Sequence, residues 1–238
     1  MKVIQVTGIS GSGKTSFIRS LIPLLARFGP VGTVKHTGHH SMLLPKGKDT
    51  TVMFEAGALV VAGIDQEKTL VTLKGTSLMD ALDILAGHGI AIAVMEGYKG
   101  SALPKIIIGD LEAEGCILRD PDPEEVIPLL DRFPDYFSID GILKELAVAC
   151  REEGRECVVA SSTVPLPAGM ADPGPSLPGI ARAVEDLLGV TGVEAAFRQG
   201  SLFGGTDQVI FAVAAESGKA AAAGLGAALS RFREIPVP

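Results

Sequence analysis

The sequence predicts an α/β protein in which a doubly wound, mostly parallel sheet is followed by a smaller α+β domain. Short apolar runs alternate with stretches of helical periodicity over the first half of the chain, which is typical of strands joined by crossover helices. A glycine-rich loop separates the first apolar run from the first helical stretch. Turn signals between Pro134 and Gly141 then interrupt the pattern. We therefore predict one domain at residues 1–137 and a second at residues 138–238.

Composition excludes several classes of protein. The chain has 238 residues and a formal net charge of −7, which argues against binding nucleic acid through its phosphates. No uncharged apolar run reaches the roughly eighteen residues that a membrane-spanning helix needs, and Met1 leads directly into a predicted strand. The three cysteines form no C-x-x-C pair, so neither a disulfide framework nor a thiolate zinc site is indicated. We expect a soluble, cytoplasmic protein with no nucleic acid or membrane partner.

The glycine-rich loop carries the strongest functional signal. Residues 8–15 read Gly-Ile-Ser-Gly-Ser-Gly-Lys-Thr and match G-x-x-x-x-G-K-[ST] at every fixed position. In this motif backbone amides surround a phosphate chain, the lysine adds a positive charge and the final hydroxyl contacts Mg²⁺. The pattern predicts a P-loop NTPase domain, with a nucleotide bound by Gly8, Ser10, Gly11, Ser12, Gly13, Lys14, Thr15 and Ser16.

A predicted second strand at residues 31–34 delivers Lys35 and His36 to the carboxyl edge of the sheet, where ligands bind in open α/β folds. His36, His39 and His40 could ligate a metal or donate hydrogen bonds to phosphate. Residues 41–51 have no periodicity and predict a mobile loop that carries Asp49. Asp49 could bind Mg²⁺ through water or cap the next helix.

The apolar run at residues 90–95 predicts a strand buried on both faces, and it ends at Glu96. A carboxylate at this edge can hold the hydration shell of Mg²⁺ or orient an attacking water. Lys35, Lys99 and Lys105 could offset phosphate charge or be ordinary surface lysines. Further strands are predicted at residues 59–62 (buried), 68–73, 106–108 and 116–118, and helices at 16–25, 77–86 and 121–132.

The second domain begins with a predicted helix from Ile142 to Glu153. Residues 164–179 are dense in proline and glycine and predict a loop. A helix at 180–188, strands at 192–197 and 208–213 joined by a Gly204-Gly205 turn, and an alanine-rich helix at 219–233 complete the prediction.

These motifs together resemble MobB, the molybdopterin-guanine dinucleotide biosynthesis adapter family. The resemblance implies a GTP-binding protein that uses Mg²⁺, hydrolyses GTP slowly and works as a homodimer beside the molybdenum cofactor guanylyltransferase, with molybdopterin as a further ligand. Ala91 departs from the family, where an Asp is expected before the strand that ends at Glu96. The matching residues are the 8–15 loop, Lys35-His36, His39-His40, Asp49-Thr50, Ala56-Gly57-Ala58, Glu96-Gly97-Tyr98-Lys99 and Pro104-Lys105.

The end of the chain resembles a degenerate form of MoaE, the catalytic subunit of molybdopterin synthase. The segment from Arg198 to Leu202 follows the H-R-x-G-x-L pattern of that family, but Phe197 replaces its histidine. Arg233 stands where a catalytic lysine is expected, and a guanidinium cannot act as a neutral amine. The resemblance implies a domain without sulfur-transfer activity, kept for docking or dimerisation, with the synthase small subunit as a candidate partner.

We therefore predict GTP bound by the loop with Lys35, His36 and Lys99, Mg²⁺ at Thr15, Asp49 and Glu96, and slow hydrolysis that depends on Lys14 and Glu96. Residues 36–50 would close over the nucleotide. Guanine rests on the resemblance alone, because no N-K-x-D signature is present. Three alternatives stay open: a nickel metallochaperone GTPase, a small-molecule kinase, although no arginine-rich lid is visible, and a nucleotide-dependent interaction protein without catalysis.

Overall fold

The computed structural model describes residues 1–38, 42–75, 77–152, 154, 156–170 and 172–236. The first part of the chain alternates strands and helices before it ends in a 3₁₀ helix. In chain order its elements are β1 (Lys2–Gly8), α1 (Lys14–Leu25), β2 (Val31–Lys35), α2 (Asp49–Glu55), β3 (Val60–Ile64), β4 (Thr69–Leu73), α3 (Leu78–Gly87), β5 (Ile92–Glu96), β6 (Lys105–Ile108), β7 (Cys116–Arg119) and the 3₁₀ helix Pro123–Arg132.

Five of these strands form a parallel sheet in the order β2-β5-β1-β6-β7. Helix α1 and the 3₁₀ helix cover one face, where Ile4 and Val6 of β1 enter their core. Helix α3 covers the other face, which receives Val3 of β1 and Met95 of β5. Successive side chains of a strand point to opposite faces, so the apolar runs of β1 and β5 fill both cores. The predicted doubly wound fold is confirmed.

The buried strand predicted at residues 59–62 is wrong. Strand β3 pairs with β4 in a separate antiparallel sheet of two strands, outside the parallel sheet. Val60, Ile64 and Leu70 are 56%, 80% and 63% exposed. A short apolar run carries no information about which strand it pairs with, and here the partner is its neighbour in the chain.

The predicted helix at residues 121–132 is present from Pro123 to Arg132, but it is a 3₁₀ helix. Pro128 lies inside it and has no N–H to donate, which disfavours a continuous α-helical hydrogen-bond ladder. The helix still delivers Val126 to the core beneath α1.

The second part of the chain is an antiparallel sheet between helices. In chain order its elements are α4 (Ile139–Glu152), β8 (Val158–Pro165), a 3₁₀ turn (Gly174–Ser176), α5 (Leu177–Glu185), β9 (Val190–Arg198), a 3₁₀ turn (Gly200–Phe203), β10 (Gln208–Ala215) and α6 (Gly218–Arg233). The strand order is β8-β10-β9. Helix α4 packs on one face of the sheet, and α5 with α6 packs on the other. This arrangement agrees with the predicted α+β character.

Two predictions in this part need correction. Strand β8 was not predicted, because residues 158–165 mix small and hydroxyl side chains without clear alternation. It forms because every residue from Val158 to Pro165 pairs with β10. The predicted loop at 164–179 is also too long. Helix α5 begins at Leu177, and Pro178 occupies its first turn, where the missing N–H is not needed.

A buried polar network joins the two parts. Arg198 of β9 lies 3.5 Å from the Asp83 carboxylate of α3, and Tyr136 donates a hydrogen bond of 2.9 Å to the same carboxylate. The Arg198 side chain is only 9% exposed. Burial, together with the hydrogen bond to Asp83, raises the pKa of Tyr136 well above its ordinary value. The network fixes β9 and its following turn against the parallel-sheet domain.

No helix within the described ranges combines the length and apolarity needed to cross a bilayer.

Candidate functional site

The glycine-rich loop connects β1 to α1 at the carboxyl edge of the parallel sheet. Gly8 has φ 155°, and a Cβ at this position would overlap the carbonyl oxygen of Ile108 on β6. Gly13 has φ 93° and forms the N-cap of α1 in the left-handed region. The first turn of α1 contains no acidic residue, so the partial positive charge at its N-terminus is not neutralised within the helix. The loop is therefore shaped and polarised to receive an anion.

Lys14 lies across the loop. Its Nζ donates a hydrogen bond of 2.5 Å to the carbonyl oxygen of Ile9. Burial lowers the pKa of the Lys14 ammonium; Glu96 opposes this shift, whereas Lys99 and Lys35 add to it. A phosphate that replaced the Ile9 carbonyl as acceptor would offset the repulsion from those two lysines.

Glu96 lies where the carboxyl ends of β1, β2 and β5 meet. Strand β5 lies between β1 and β2 in the sheet, so its last residue faces both the loop and Lys35. Thr15 Oγ1 donates to Glu96 Oε2 at 3.4 Å, and Lys35 Nζ lies 3.3 Å from Glu96 Oε1. The Glu96 side chain is 15% exposed and that of Lys35 is 58% exposed. A hydroxyl beside a carboxylate is a donor set of hard oxygens, which fits Mg²⁺.

Two adjoining cavities surround these side chains. The larger, of about 580 Å³, extends from Gly8 across the edge of the sheet to Lys99. The smaller, of about 360 Å³, lies over Gly11, Gly13 and the first turn of α1. Their volumes suit a ligand of nucleotide size. Both are lined by Ser10, Lys14, Lys35 and Glu96.

The segment after Glu96 is held in a constrained conformation. Tyr98 has a positive φ of 52°, and its ring stacks on His36 with centroids 4.2 Å apart. Gln5 of β1 fixes the backbone, because its Nε2 donates to the carbonyl oxygens of Gly97 and Tyr98, each at 2.7 Å. Ser101 Oγ in turn donates to Gln5 Oε1 at 2.7 Å. Sequence reasoning missed Gln5, although a single amide inside an otherwise apolar strand was its signal.

The structure brings most of the predicted site residues together. Eleven of them line one or both cavities: Gly8, Ser10, Gly11, Gly13, Lys14, Thr15, Ser16, Lys35, His36, Glu96 and Lys99.

Four predicted contributors lie elsewhere or outside the described residues. The Ser12 hydroxyl is buried without a hydrogen-bond partner in the described part of the chain, beside Gly8 and Gly109 and away from both cavities. Asp49 begins α2 and lines neither cavity. His39 and His40 fall outside the described residues. Within the described ranges no group of three or more His, Cys, Asp or Glu side chains could hold a metal ion, and the role of the histidine cluster stays a prediction.

Lys105 supports the site from below. It is fully buried, and its Nζ donates a hydrogen bond of 2.6 Å to the carbonyl oxygen of Ser101. Burial lowers the pKa of this ammonium. Lys105 lines neither cavity, so it contacts the 97–101 segment rather than a ligand.

The chain is similar to curated proteins of one kind. It is 34% identical over 111 residues to the molybdopterin-guanine dinucleotide biosynthesis adapter protein of Haemophilus influenzae, a match that covers 44% of this chain and 62% of that protein. It is 33% identical over 106 residues to the protein of the same name from Escherichia coli, covering 42% and 60%. The chain thus spans about three fifths of the length of these two relatives.

Solved structures give matches of the same kind. The crystal structure of Bacillus subtilis MobB aligns with a TM-score of 0.45 at 23% identity, covering 56% of this chain and 99% of that one. A MobB homologue from Bacillus stearothermophilus aligns with a TM-score of 0.35 at 26% identity, covering 56% and 72%.

A family model described as molybdopterin guanine dinucleotide synthesis protein B matches residues 3–127, which is more than half of the chain. The matched region includes the loop, Lys35, Glu96 and Lys99, and it ends before the three-stranded antiparallel sheet β8-β10-β9. The resemblance of the end of the chain to MoaE lies outside this region and stays a prediction. The chain belongs to the MobB family.

Proposed function

We propose that the chain is a GTP-binding adapter that hydrolyses GTP slowly and acts in the biosynthesis of the molybdenum cofactor in its guanine dinucleotide form. The observation that carries the proposal is the convergence of Lys14, Thr15 and Glu96 on two adjoining cavities above an open glycine-rich loop. This arrangement supports binding of a triphosphate with a divalent cation. Guanine and the pathway rest on the relatives' names.

Different residues would bind the phosphates and the metal ion. The backbone amides of the loop and the N-terminus of α1 would hold the phosphates, and Lys14 would exchange its bond to Ile9 for one to a phosphate oxygen. Thr15 and Glu96 would hold Mg²⁺, which supplies charge neutralisation for the phosphates when bound. Lys35 is more than half exposed, so it can leave Glu96 and pair with a phosphate. Closure of residues 36–50, and a water-mediated contact from Asp49, remain part of this proposal.

Slow hydrolysis follows from the side chains present. Glu96 is the one carboxylate that lines both cavities among the described residues, so it would orient the attacking water. No arginine of the described ranges lines either cavity. An arginine at this place contributes roughly 10³ to 10⁵ to the rate of GTPases that have one. Hydrolysis by the protein alone should therefore be slow.

The adapter role implies partners. The proteins of similar sequence are named as adapters in molybdopterin-guanine dinucleotide biosynthesis, and we propose that this chain works in the cytoplasm beside the guanylyltransferase that forms this dinucleotide. Molybdopterin would be the ligand presented to that enzyme. The second domain would serve for docking, and a molybdopterin synthase small subunit is one candidate partner for it.

A homodimer is supported by the β3–β4 hairpin. A two-stranded sheet is marginally stable alone in water, yet this one exposes Val60, Ile64 and Val71, which share one face, by half or more. Two copies joined through this apolar face would bury those side chains. Replacing Ile64 by Lys should convert a dimer to a monomer in light scattering, whereas Lys74→Ala at the exposed end of the same hairpin should not. A monomeric wild type at micromolar concentration would contradict the dimer.

The nucleotide site is tested by calorimetric titration of GTP and of ATP in the presence of Mg²⁺. Loss of the Lys14 ammonium should weaken GTP binding in Lys14→Ala by about 100-fold or more, on the order of 3 kcal/mol. Lys219→Ala is the matched control, because Lys219 is exposed on α6 and lines neither cavity. Equal affinity for ATP would exclude the guanine preference, and an unchanged Lys14→Ala would exclude the site.

Catalysis is tested separately by Glu96→Gln under single-turnover conditions. The amide keeps the size of the side chain but removes its negative charge, so release of phosphate should fall by about 10²-fold or more. Because Glu96 would also hold Mg²⁺, the rates are compared at saturating protein and Mg²⁺, where weaker binding does not lower them. Hydrolysis at the wild-type rate in this variant would show that the activity does not use Glu96.

A further inference from the structure

We propose that the protein has a second small-molecule site, between its two domains, for an aromatic compound that carries a negatively charged group. A cavity of about 490 Å³ lies there, within the range of roughly 300–1,000 Å³ that is common for ligand sites. Residues 98–102 of the first domain form one wall, and Ser201–Gly204 of the second domain form the other. His36, Tyr98 and Lys99 line both this cavity and the larger nucleotide cavity, so the two sites would be neighbours.

The wall from the second domain is preformed. Phe203 packs edge-on against Tyr136, with ring centroids 5.1 Å apart. Gly205 lies so close to Met79 that a Cβ there would overlap the Met79 sulfur. The backbone N–H of Ser201 donates a hydrogen bond of 2.8 Å to the Asp207 carboxylate. These protein contacts hold the turn in place without a ligand. A ligand would therefore bind without having to order the turn.

The wall from the first domain is equally constrained. Gln5 holds the carbonyl oxygens of Gly97 and Tyr98, and Ser101 donates back to Gln5. Lys105 holds the Ser101 carbonyl oxygen from beneath. The same buried side chains therefore position the segment that separates the nucleotide cavity from the second cavity.

The lining selects an apolar, aromatic body. Leu78 and Phe203 are 9% and 3% exposed and present hydrocarbon to the cavity beside Leu202 and the Tyr98 ring. The other lining residues between Gly100 and Gly204 are small, which leaves room for a flat ring system. Hydrocarbon and ring faces favour aromatic compounds over sugars or other strongly hydrated molecules, whose polar groups would lose water without gaining partners.

The lining also selects a negative charge. Lys99 is exposed, and no carboxylate lines this cavity within the described ranges. Lys99 lines both this cavity and the nucleotide cavity, so the charged group of the ligand would point toward the nucleotide. A phosphate or carboxylate attached to an aromatic ring satisfies both halves of the site.

Such chemistry has two possible sources: a separate compound, or the base of the nucleotide itself reaching past Tyr98. We assign the site to a separate compound, because the stacked rings of His36 and Tyr98 form part of the wall between the two cavities. The assignment does not rest on the proposed nucleotide function, since its decisive comparison is made without nucleotide.

The test uses 2-naphthyl phosphate as probe, measured by calorimetry on the full chain. Ser201→Trp places an indole in the cavity from an exposed position. Ser230→Trp is the matched control, because Ser230 is exposed on α6 and lines none of the cavities described above. Wild type and the control should bind one equivalent with sub-millimolar affinity, and Ser201→Trp should lose about tenfold or more. Circular dichroism melts of both variants check that they fold.

Further titrations separate the sources of the signal. Uncharged 2-naphthol should bind about tenfold more weakly than the phosphate, because it has no charge to pair with Lys99, and equal binding would contradict the selection of an anion. Saturating GTP should leave probe binding in place, and GTP affinity should be the same in both tryptophan variants. Equal probe binding by Ser201→Trp and its control, no saturable binding at millimolar probe, or displacement by GTP would overturn the proposal. Weaker GTP binding in Ser201→Trp alone would assign the cavity to the base instead.

Discussion

Two inner strands, one from the parallel sheet and one from the three-stranded antiparallel sheet, look alike in sequence but belong to different architectures. Strand β5 of the parallel sheet and β10 of the antiparallel sheet are both apolar runs that are buried along nearly their whole length. Each lies between helical layers, β10 between α4 on one face and α5 with α6 on the other. A strand that is covered on both faces needs apolar residues along its whole length, whatever its direction. Whether it runs parallel or antiparallel to its neighbours depends on the connections between the strands.

The two sheets differ in what their edges carry. The parallel sheet ends at one edge in Gly8, Lys35 and Glu96, because parallel strands bring all their carboxyl ends together. The antiparallel sheet alternates strand ends, so its loops are divided between two edges. One of these loops, Gly200–Phe203, reaches the parallel-sheet part of the chain and lines the cavity beside the proposed nucleotide site.

The largest change in stability is expected for Phe211→Ala, which removes a core side chain from the antiparallel sheet. Phe211 is fully buried on β10 and packs against Phe232 of α6 with centroids 5.7 Å apart. Removing its ring should lower the free energy of unfolding by about 3–5 kcal/mol, measured by urea denaturation. Leu188→Ala, at a fully exposed side chain, should change it by less than about 0.5 kcal/mol. GTP affinity should persist in Phe211→Ala at low urea. Parallel loss of nucleotide binding would contradict separate roles for the two sheets.

Arg198→Ala tests how firmly the antiparallel sheet is joined to the parallel-sheet part of the chain. It removes a charge that is paired with Asp83 and contacts Tyr136 and Gln208, so stability should fall by about 1.5–3 kcal/mol. Asp83 is 44% exposed, which keeps the loss below that of a fully buried pair. A double-mutant cycle with Asp83→Asn should give a coupling above about 0.5 kcal/mol. Arg182 is exposed on α5, so Arg182→Ala is the control. Equal losses of stability in both arginine variants would show that the contact between Arg198 and Asp83 does not stabilise the fold.

Ser77→Ala measures how much the N-terminal cap of α3 adds to stability. Residues from both parts of the chain contact this helix. The Ser77 hydroxyl caps α3 by accepting a hydrogen bond of 3.2 Å from the Asp80 N–H, and the Ser77 N–H donates one of 2.7 Å to the Asp80 carboxylate. Losing the hydroxyl should cost about 1 kcal/mol of folding free energy. Urea denaturation measures it, with Ser230→Ala on α6 as a control without this cap. No difference between the two variants would mean that the cap does not stabilise the fold.

The smallest expected effect is a pH dependence at Glu194 on β9. Glu194 is exposed on β9, but its partial desolvation raises its pKa, and the nearby carboxylates of Glu145 and Glu185 raise it further. The folded protein therefore binds the proton more tightly than the unfolded chain, and this residue's contribution falls as pH rises through the folded pKa, above the ordinary value of 4.5. Glu194→Gln should gain stability relative to wild type between about pH 4 and 7. A pH-independent difference would exclude the effect.

The sequence determined the parallel-sheet domain because its signals are local. The match at residues 8–15 fixed the loop, and the apolar runs ending at Lys35 and Glu96 placed both side chains at the same edge of the sheet. Parallel strands require crossover helices, so the order of apolar runs and helical stretches was enough to predict the class of fold. Eleven predicted residues line the two cavities for this reason.

Only the tertiary structure decided the features that depend on distant partners. Strand β8 exists because β10 pairs with it, and β3 leaves the main sheet because β4 is its partner. Gln5 and Lys105 donate hydrogen bonds to backbone carbonyls of the 97–101 segment. Neither residue type indicates in the sequence which carbonyl it will bind. The same holds for the interdomain cavity, whose walls are about a hundred residues apart in sequence. Local periodicity encodes which faces are buried, but the choice of partner is a long-range competition that a single sequence pattern does not record.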